Sequence, residues 1–527
     1  MSTLTRPIPL SSRPPWAICV FAAYALTVAY LSSQHTVFRD EARALSLTRS
    51  ADNPLDLVRT RLVDEGHPAV WYLLLWAASQ VSANTVVLKV VAVLVALTFA
   101  GLFFFRSPFP LAHRLLFLVG ILPLHTYAVM ARNYGISAVF LFLIASEYSR
   151  PRQGSPWVAG LCNALLANTN VYGAFCAIGI MLLPWRFPDG SWRQQLRSRA
   201  IVVGLTALGG LALAYTVWPS QNNLMYPVQT IASSGMPTVD GSKVGQALLS
   251  TCTDDMDWAA CMITGKNLHS KFERMGLLAW LRPIDVVGLV APVLMLRTSA
   301  MRAAFLAVFL LAGVFSRLIY VADERHIGVL TMFLLSLLWI QRTWDGPTHL
   351  RYWRCVLTML LLALSAHAIM GTYIAYKKLR VPYSQSRNAG RFLAAGDAST
   401  IVICEPDFFG DALTYYASND IFIIRENRFG SYVRLRASLE RVLTLAEISA
   451  VAEHVQEETG RPVLLALPAR VAKLEEYVRR GDFGRRFQIS ADELQNFQER
   501  YHEVAAFDGE GSETFVFFEL RNRPNAK

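Results

Sequence analysis

The chain has 527 residues, of which 53% are hydrophobic and only 17% are charged. This apolar content excludes a single soluble domain and predicts a multi-pass membrane protein with a soluble part. Lys and Arg in cytoplasmic loops account for the net charge of +11. Binding to nucleic acid is not indicated, because no basic patch with interleaved aromatic residues is present.

The N-terminal segment is polar, carries Arg6 and Arg13, and precedes an apolar run at 16–31. A signal peptide would give the same pattern. The run lacks a clear small-x-small cleavage site and many further apolar spans follow, which favours a retained first helix. The two arginines then place the N-terminus in the cytoplasm and the loop 32–67 outside. Within this loop, two short amphipathic helices are predicted, at 40–48 and 55–59.

Residues 68–82 form an apolar stretch that reaches only about 22 Å as a helix, less than the ~30 Å hydrocarbon core of a membrane. We therefore expect it to dip into the outer leaflet or lie along it. The remaining apolar runs alternate so that basic turns fall on the inner side. This scheme gives eleven spans, with the N-terminus inside and the C-terminus outside: 16–31, 86–105, 115–130, 135–147, 157–167, 171–185, 200–218, 277–296, 303–320, 327–340 and 355–373.

Two further external regions are predicted. The loop 219–276 contains Cys252 and Cys261, which could form a disulfide outside the membrane, although sequence alone leaves this open. Residues 1–376 thus form the membrane domain, and residues 377–527 form a soluble domain. The alternation there of strands at 400–404, 421–424, 463–467 and 514–518 with a helix at 439–458 predicts a small α/β domain.

Two adjacent carboxylates, Asp40 and Glu41, lie just outside the first apolar span. Acids in the first turn of a helix are favoured by the helix dipole, so spacing alone does not make them catalytic. Distant segments nevertheless bring further polar residues to the same membrane face, some of which could be interfacial anchors or turn residues. This set comprises Glu65, His67, His125, Arg132, Tyr134, Asn168, Asn170, Arg317, Arg325 and His326.

The set fits one chemistry. A carboxylate can take a proton from an acceptor hydroxyl, and arginines can hold a phosphate leaving group through paired hydrogen bonds. Glycosyl transfer from a lipid phosphate needs both. The hypothesis from another class is a transporter or flippase of lipid-linked sugars, which should show broken helices and internal repeats. Polar residues concentrated at one face, without a clear repeat, favour the enzyme.

Four motifs resemble the GT-C class of polyprenyl-phosphate-sugar-dependent glycosyltransferases, which includes protein O-mannosyltransferases and the lipid A aminoarabinose transferase. They are Asp40-Glu41 after the first helix, His67-Pro68 followed by Trp71-Tyr72-Leu73-Leu74-Leu75-Trp76, Tyr127-Ala128-Val129-Met130-Ala131-Arg132-Asn133-Tyr134, and Arg325-His326 at the start of a late helix. The match covers residues 15–150, and elsewhere it rests mainly on topology.

The resemblance implies a multi-pass enzyme of the bacterial inner membrane with its active site and C-terminal domain in the periplasm. Asp40 would be the catalytic base of an inverting transfer and Glu41 its catalytic neighbour. The donor would be a polyprenyl-phosphate sugar, and the acceptor an envelope glycan, lipid or protein. The resemblance makes candidates of Arg132, Tyr134 and Arg325 for donor contacts, and we add Glu65, His67 and His326 as substrate-binding candidates.

This chain departs from the class at two places. Some members carry an acid where it has Gly66, with Glu65 one position earlier, and an aspartate near Arg132 that is absent here. Whether a divalent metal ion binds is therefore left open.

Overall fold

The computed structural model describes residues 14–150, 153–185, 191–218, 220, 262, 290–320, 322–346, 348–436, 439, 441–469, 477–480, 486–509 and 513–521. Within them, helices dominate up to residue 380 and strands appear after residue 400. The predicted loop 219–276 lies almost entirely outside the described residues, as do Cys252, Cys261 and the first part of the predicted span 277–296.

The helices of the described chain are α1 (Pro15–Gln34), α2 (Arg39–Arg49), α3 (Pro54–Asp56), α4 (Val70–Val81), α5 (Val87–Arg106), α6 (Leu111–Val119), α7 (Tyr134–Tyr148), α8 (Pro156–Ala167), α9 (Val171–Met181), α10 (Trp192–Val217), α11 (Ser299–Leu318), α12 (Glu324–Asp345), α13 (Leu350–Arg380), α14 (Ser386–Ala395), α15 (Gly410–Leu413), α16 (Leu445–Thr459) and α17 (Ala491–Arg500). Two π-helical turns, Leu57–Arg61 and Leu122–Thr126, follow α3 and α6.

Six of these helices are long and apolar enough to cross a membrane, namely α1, α5, α10, α11, α12 and α13. Four others, α4, α7, α8 and α9, are apolar but shorter. The predicted class of a polytopic helical protein is confirmed in this coarse form, whereas the count of eleven spans stays a prediction. The stretch predicted as too short to cross is indeed the 12-residue helix α4.

One predicted span is wrong as a continuous helix. The run 115–130 is broken, because α6 ends at Val119 and Gly120 is extended, with φ −64° and ψ 153°. A π-helical turn follows that contains Pro123, and proline cannot donate the backbone hydrogen bond that would continue α6. Pro123 and the Leu residues of this turn are buried, which is where irregular backbone is tolerated at membrane depth.

The strands after residue 400 form two sheets in the described chain. They are β1 (Ile401–Cys404), β2 (Ile421–Ile423), β3 (Arg428–Phe429), β4 (Val442–Thr444), β5 (Val463–Leu467), β6 (Tyr477–Arg480), β7 (Arg486–Ile489), β8 (Tyr501–Phe507) and β9 (Phe515–Leu520). A six-stranded sheet has the order β3-β2-β1-β5-β9-β8, and a three-stranded sheet the order β4-β7-β6. β1 is parallel to β2 and to β5, whereas β9 is antiparallel to β5.

The α/β character predicted from the sequence is present, with one helix boundary corrected. The predicted helix 439–458 begins only at Leu445, because Thr444 accepts a hydrogen bond from Glu447 and caps α16. Val442–Thr444 is instead strand β4. Along β1, Ile401 and Ile403 join one apolar cluster, and Val402 and Cys404 join another. Both faces of the large sheet are therefore covered.

A third apolar cluster joins the C-terminal region to the segment after α1. In it, Tyr415 and Tyr432 are packed with Leu45 of α2 and Trp71 and Leu75 of α4. This packing holds α2 against the C-terminal region, and α2 carries the candidate catalytic residue Asp40.

Polar contacts strengthen the same attachment. The Tyr416 hydroxyl accepts from the backbone N–H of Val37 at 2.6 Å, and Ser386 Oγ donates to the Val37 carbonyl at 2.6 Å. At the first residue of α2, the Arg39 N–H donates to Oε1 of Glu513 at 3.1 Å. Glu513, which is 1% exposed, thus acts as an N-terminal cap supplied by the far end of the chain.

Candidate active site

Asp40 lies in the first turn of α2 and faces a cluster of arginines. Its Oδ2 is 3.3 Å from Nη1 of Arg132 and 3.5 Å from Nη1 of Arg325. Its Oδ1 is 3.6 Å from Nε of Arg39. Arg132 also donates to the backbone carbonyl of Asp40 at 2.9 Å. Residues from three distant segments of the chain thus meet at one carboxylate.

The arginines decide the charge of this carboxylate. Burial would raise the pKa of Asp40, but the neighbouring guanidinium groups, above all that of Arg132, outweigh this effect and hold that pKa well below its usual range. Burial, reinforced by the positive charge of Arg132, lowers the pKa of His67 to about 3. At neutral pH the site therefore holds an ionised Asp40 and a neutral His67.

Glu41 does not reach the cleft. It is fully buried, and its Oε1 accepts from the backbone N–H of Ala131 at 2.6 Å. Its Oε2 accepts from the N–H of Phe38 at 3.1 Å and lies 2.8 Å from Nε2 of His35. These contacts tie α2 to the segment that leads to Arg132, and Glu41 is not among the residues that line the cleft. They indicate that Glu41 positions Asp40 and Arg132, in contrast to the catalytic place predicted for it.

Tyr134 and His326 form the second polar pair of the site. Nδ1 of His326 accepts from the backbone N–H of Asp323 at 2.7 Å, so in the neutral ring the proton is on Nε2. That nitrogen lies 2.8 Å from the Tyr134 hydroxyl and donates to it. The Tyr134 O–H can then donate to a further acceptor. The ring of Tyr172 stacks on His326, with 5.0 Å between centroids.

Glu65 belongs to an ion-pair network that includes the C-terminal region. Both of its oxygens contact Arg43, which lies one helical turn after Asp40. The same guanidinium reaches Oδ2 of Asp411 at 3.1 Å. Gly66 follows with φ 67°, a left-handed conformation that glycine adopts without strain. This turn brings both Glu65 and His67 to the cleft.

These residues line one cleft that encloses about 810 Å³, including the space at its open mouth. Of the residues predicted for the site, six line it, namely Asp40, Glu65, His67, Arg132, Tyr134 and His326, and Arg325 contacts it through Asp40. Asn170 lines it as well, while its side chain caps α9 by accepting from Gly173. The other lining residues were not predicted as site residues, although Gly66 and Tyr72 lie within or beside a motif quoted above. They are Arg43, Gly66, Tyr72, Val171, Tyr172, Phe315, Tyr320 and Leu435.

Some of these missed residues had a signal in the sequence. Arg43 is three positions after Asp40 and so falls on the same face of a helix. Leu435 and Asp411 had none, because they come from a region almost 400 residues away and reach the site only through the packing of the C-terminal region.

The residues of the cleft do not fit a divalent metal ion. In the part of the chain that the structure describes, no group of three His, Cys, Asp or Glu side chains is arranged to hold one. Asp40 faces guanidinium groups, and Glu65 is engaged by Arg43. A metal ion placed beside these carboxylates would compete with positive charges already present. We derive no step through a metal.

Neither a family model nor a curated protein sequence matches the chain. Two crystal structures of ArnT from Cupriavidus metallidurans are similar to it, one bound to undecaprenyl phosphate and one in the apo state. The first is 11% identical over 90% of this chain and 97% of that chain, and the second is 12% identical over 89% and 96%. The TM-score is 0.43 for both. ArnT is the lipid A aminoarabinose transferase whose class the sequence motifs resemble. At this identity and TM-score the similarity by itself does not indicate a function.

Proposed function

We propose that the chain is a membrane glycosyltransferase that moves a sugar from a polyprenyl-phosphate donor to a hydroxyl of an envelope glycan, lipid or protein. The observation that supports this most directly is the meeting of Asp40 with Arg132 and Arg325 in a cleft beside apolar helices. A general base and a phosphate clamp are the two groups that such a transfer requires.

In this mechanism Asp40 accepts the proton of the acceptor hydroxyl. The acceptor oxygen then attacks the anomeric carbon from the face opposite the phosphate. A new C–O bond forms, the bond from the anomeric carbon to the phosphate oxygen breaks, and the phosphate leaves with the electron pair. The configuration at the anomeric carbon is inverted by this single displacement.

The other residues have supporting roles. Arg132 and Arg325 neutralise the charge that develops on the phosphate, and the Tyr134 hydroxyl donates a hydrogen bond to it. Glu65 and the neutral His67 accept or donate hydrogen bonds at the sugar or the acceptor. The aromatic rings of the cleft, including Tyr172, provide the apolar walls that small-molecule sites require.

The proposal includes an orientation of the chain in the membrane. With eleven spans, the N-terminus lies in the cytoplasm of a bacterium, and the cleft faces the periplasm. Residues 377–527 then form a periplasmic domain that shapes the acceptor entrance. Leu435, which lines the cleft from the C-terminal side, supports this role.

Replacement of the base tests the function. Asp40→Asn should lower turnover by about 10²–10⁴-fold, the usual contribution of a general base. The assay uses the purified protein in nanodiscs, a panel of undecaprenyl-phosphate sugars and envelope extracts as acceptors. Asp52→Asn is the matched control, because Asp52 is an exposed aspartate in the same external loop. Normal turnover by Asp40→Asn, or no transfer by the wild type with any donor, contradicts the proposal.

A further inference from the structure

We propose that the Asp40 carboxylate occupies the position that the donor phosphate takes, and that Arg132 and Arg325 pass from the carboxylate to the phosphate when the donor binds. The base is then released for proton transfer only in the donor complex. This inference rests on the proposed function and adds an order of events to it: donor first, deprotonation of the acceptor second.

The geometry of the arginine pair is the starting point. Both guanidinium groups point at one atom, Oδ2 of Asp40, at 3.3 and 3.5 Å. They come from different elements, since Arg132 precedes α7 and Arg325 lies in the first turn of α12. Two guanidinium groups that point at one atom repel each other, and an anion between them lowers that repulsion. Arg39 adds a third positive charge beside Asp40, and Asp323 adds a second negative charge beside Arg325. Three arginines and two aspartates leave a net charge of +1, which still attracts an anion.

Both arginines have contacts besides the Asp40 carboxylate. Nη1 of Arg132 also donates to the backbone carbonyl of Asp40, at 2.9 Å. Nε of Arg325 lies 3.5 Å from Oδ2 of Asp323, and its guanidinium lies over the ring of Tyr134, 6.0 Å from the centroid. The side chains of Asp40, Arg132 and Arg325 are 23%, 12% and 16% exposed. The ion pairs are thus open to an anion that enters the cleft.

The chemistry of the transfer favours the same exchange. The donor is a phosphodiester with one negative charge, and its leaving phosphate gains a second when the bond to the anomeric carbon breaks. Asp40 loses its charge in the same step, because it takes the proton. The arginines therefore move from a group that loses charge to a group that gains it, which lowers the electrostatic cost of the transition state.

The exchange also resolves a conflict within the site. A carboxylate that neutralises two guanidinium groups is a weak proton acceptor, since its charged form is strongly stabilised. Such a carboxylate serves poorly as a general base. Removal of its counter-charges by the phosphate restores the basicity of an ordinary aspartate at the moment when the sugar is in place.

A binding experiment separates this idea from the proposed function. If Asp40 competes with the phosphate, then Asp40→Asn should bind undecaprenyl phosphate about tenfold more tightly than the wild type, which corresponds to ~1.4 kcal/mol. Asp52→Asn should bind like the wild type. The measurement is microscale thermophoresis of the full-length protein in nanodiscs, with inorganic phosphate as a second ligand.

Further variants guard against misfolding. Asp40→Ser removes the same charge with a smaller side chain, and both variants are accepted only if their thermal unfolding matches the wild type.

A double variant tests the role of Arg132. In an Arg132→Ala background the tightening should shrink to less than twofold, because the cation for which Asp40 and the phosphate compete is absent. Arg59→Ala, which removes an exposed arginine of the same loop, should leave the tightening intact.

The outcomes are distinct. Tightening for undecaprenyl phosphate, with or without tightening for inorganic phosphate, supports the exchange. Unchanged or weaker binding of undecaprenyl phosphate in both Asp40 variants overturns it, and tightening for inorganic phosphate alone overturns its assignment to the lipid donor. If tightening occurs but no sugar is transferred by the wild type, the exchange stands and the proposed function fails. If the wild type transfers a sugar but the Asp40 variants show no tightening, the proposed function stands and the exchange fails.

Discussion

Under the proposed function, Asp40 must meet two requirements that are difficult to combine in one residue. It must be ionised at the membrane surface, and it must be able to accept a proton. The three arginines around it meet the first requirement, because they hold its pKa well below the usual range. The second requires that some of this positive charge be redirected during the reaction, and the phosphate of the donor is the anion that can do so.

The pH dependence of the rate follows from this argument. The value of kcat/KM for the donor reports the free enzyme, in which Asp40 stays ionised between about pH 5 and 8. It should therefore show no fall towards acid pH from this group. In the donor complex the pKa of Asp40 rises, so kcat should begin to fall at a higher pH than kcat/KM as the solution is acidified. Steady-state rates from about pH 3 to 8 check the prediction, because an ordinary aspartate titrates at about pH 4. Coincident acid limbs in both profiles contradict it.

Tyr134 provides a second test at the level of a single hydroxyl. Because His326 donates to its oxygen, the Tyr134 proton is available to the phosphate. Tyr134→Phe removes this donor and should lower kcat by about 10²-fold, the usual cost of losing one donor to a developing negative charge. Single-turnover kinetics measure the chemical step. Tyr30→Phe, at an exposed position of α1, should have no effect, and an equal loss in both variants would show a nonspecific cause.

At the scale of the element, α2 is held at both ends of its first turn. Glu41 fixes it from the membrane side, through the backbone of Ala131. Glu513 of the C-terminal region fixes the start of α2. It accepts from the N–H of Arg39 at 3.1 Å and from the hydroxyl of Ser384 at 2.7 Å. The position of Asp40 in the cleft is therefore set by carboxylates that are themselves outside the cleft.

Glu513 makes stability depend on pH. Burial, against the opposing contacts of Ser384 and Arg39, raises the pKa of Glu513 from 4.5 to about 7. Between pH 4.5 and about 7 the folded protein keeps a proton on Glu513 that the unfolded chain has released. The contribution of this proton to the free energy of unfolding is therefore full below pH 4.5 and is lost as the pH rises to about 7. The unfolding temperature should fall over that window, and less steeply in Glu513→Gln. Glu457→Gln, at an exposed position of α16, should follow the wild type, and identical slopes for all three proteins contradict the assignment.

The sequence predicted α2 and Asp40 because an acid pair after an apolar span is a local pattern. It also predicted the meeting of Arg132 and Arg325 with Asp40, through the alternation of spans. It could not predict that Glu41 turns inward, since that depends on which backbone N–H groups lack partners in the folded state. The break at Gly120 was visible in the residues, but an apolar run that includes Pro123 is still read as one span when only hydropathy is followed.

At the scale of the whole molecule, the C-terminal region contributes residues to the candidate site. Arg43 connects Glu65, in the segment between α1 and α4, to Asp411 of α15, and Leu435 completes the wall of the cleft. These contacts join residues that are hundreds of positions apart. No periodicity or motif indicates such pairs, so the sequence alone did not predict the contacts of Asp411 and Leu435 with the site.

The proposed orientation is testable by labelling. In a cysteine-free background of intact cells, Asp397→Cys in the C-terminal region should react with a membrane-impermeant thiol reagent. Arg351→Cys at the start of α13 should react only after the cells are permeabilised. Both side chains are exposed, so accessibility within the protein is matched. The reverse pattern would place the C-terminal region in the cytoplasm and overturn the orientation.

The cap that Glu513 places on α2 has a consequence for biogenesis. Ribosomes make Asp40 early, but the side chain that fixes its helix is among the last to emerge. During translation the membrane helices can insert while α2 still lacks its outer partner. Catalytic competence therefore arrives with completion of the polypeptide, and chains shortened before residue 513 should reach the bilayer yet remain inert.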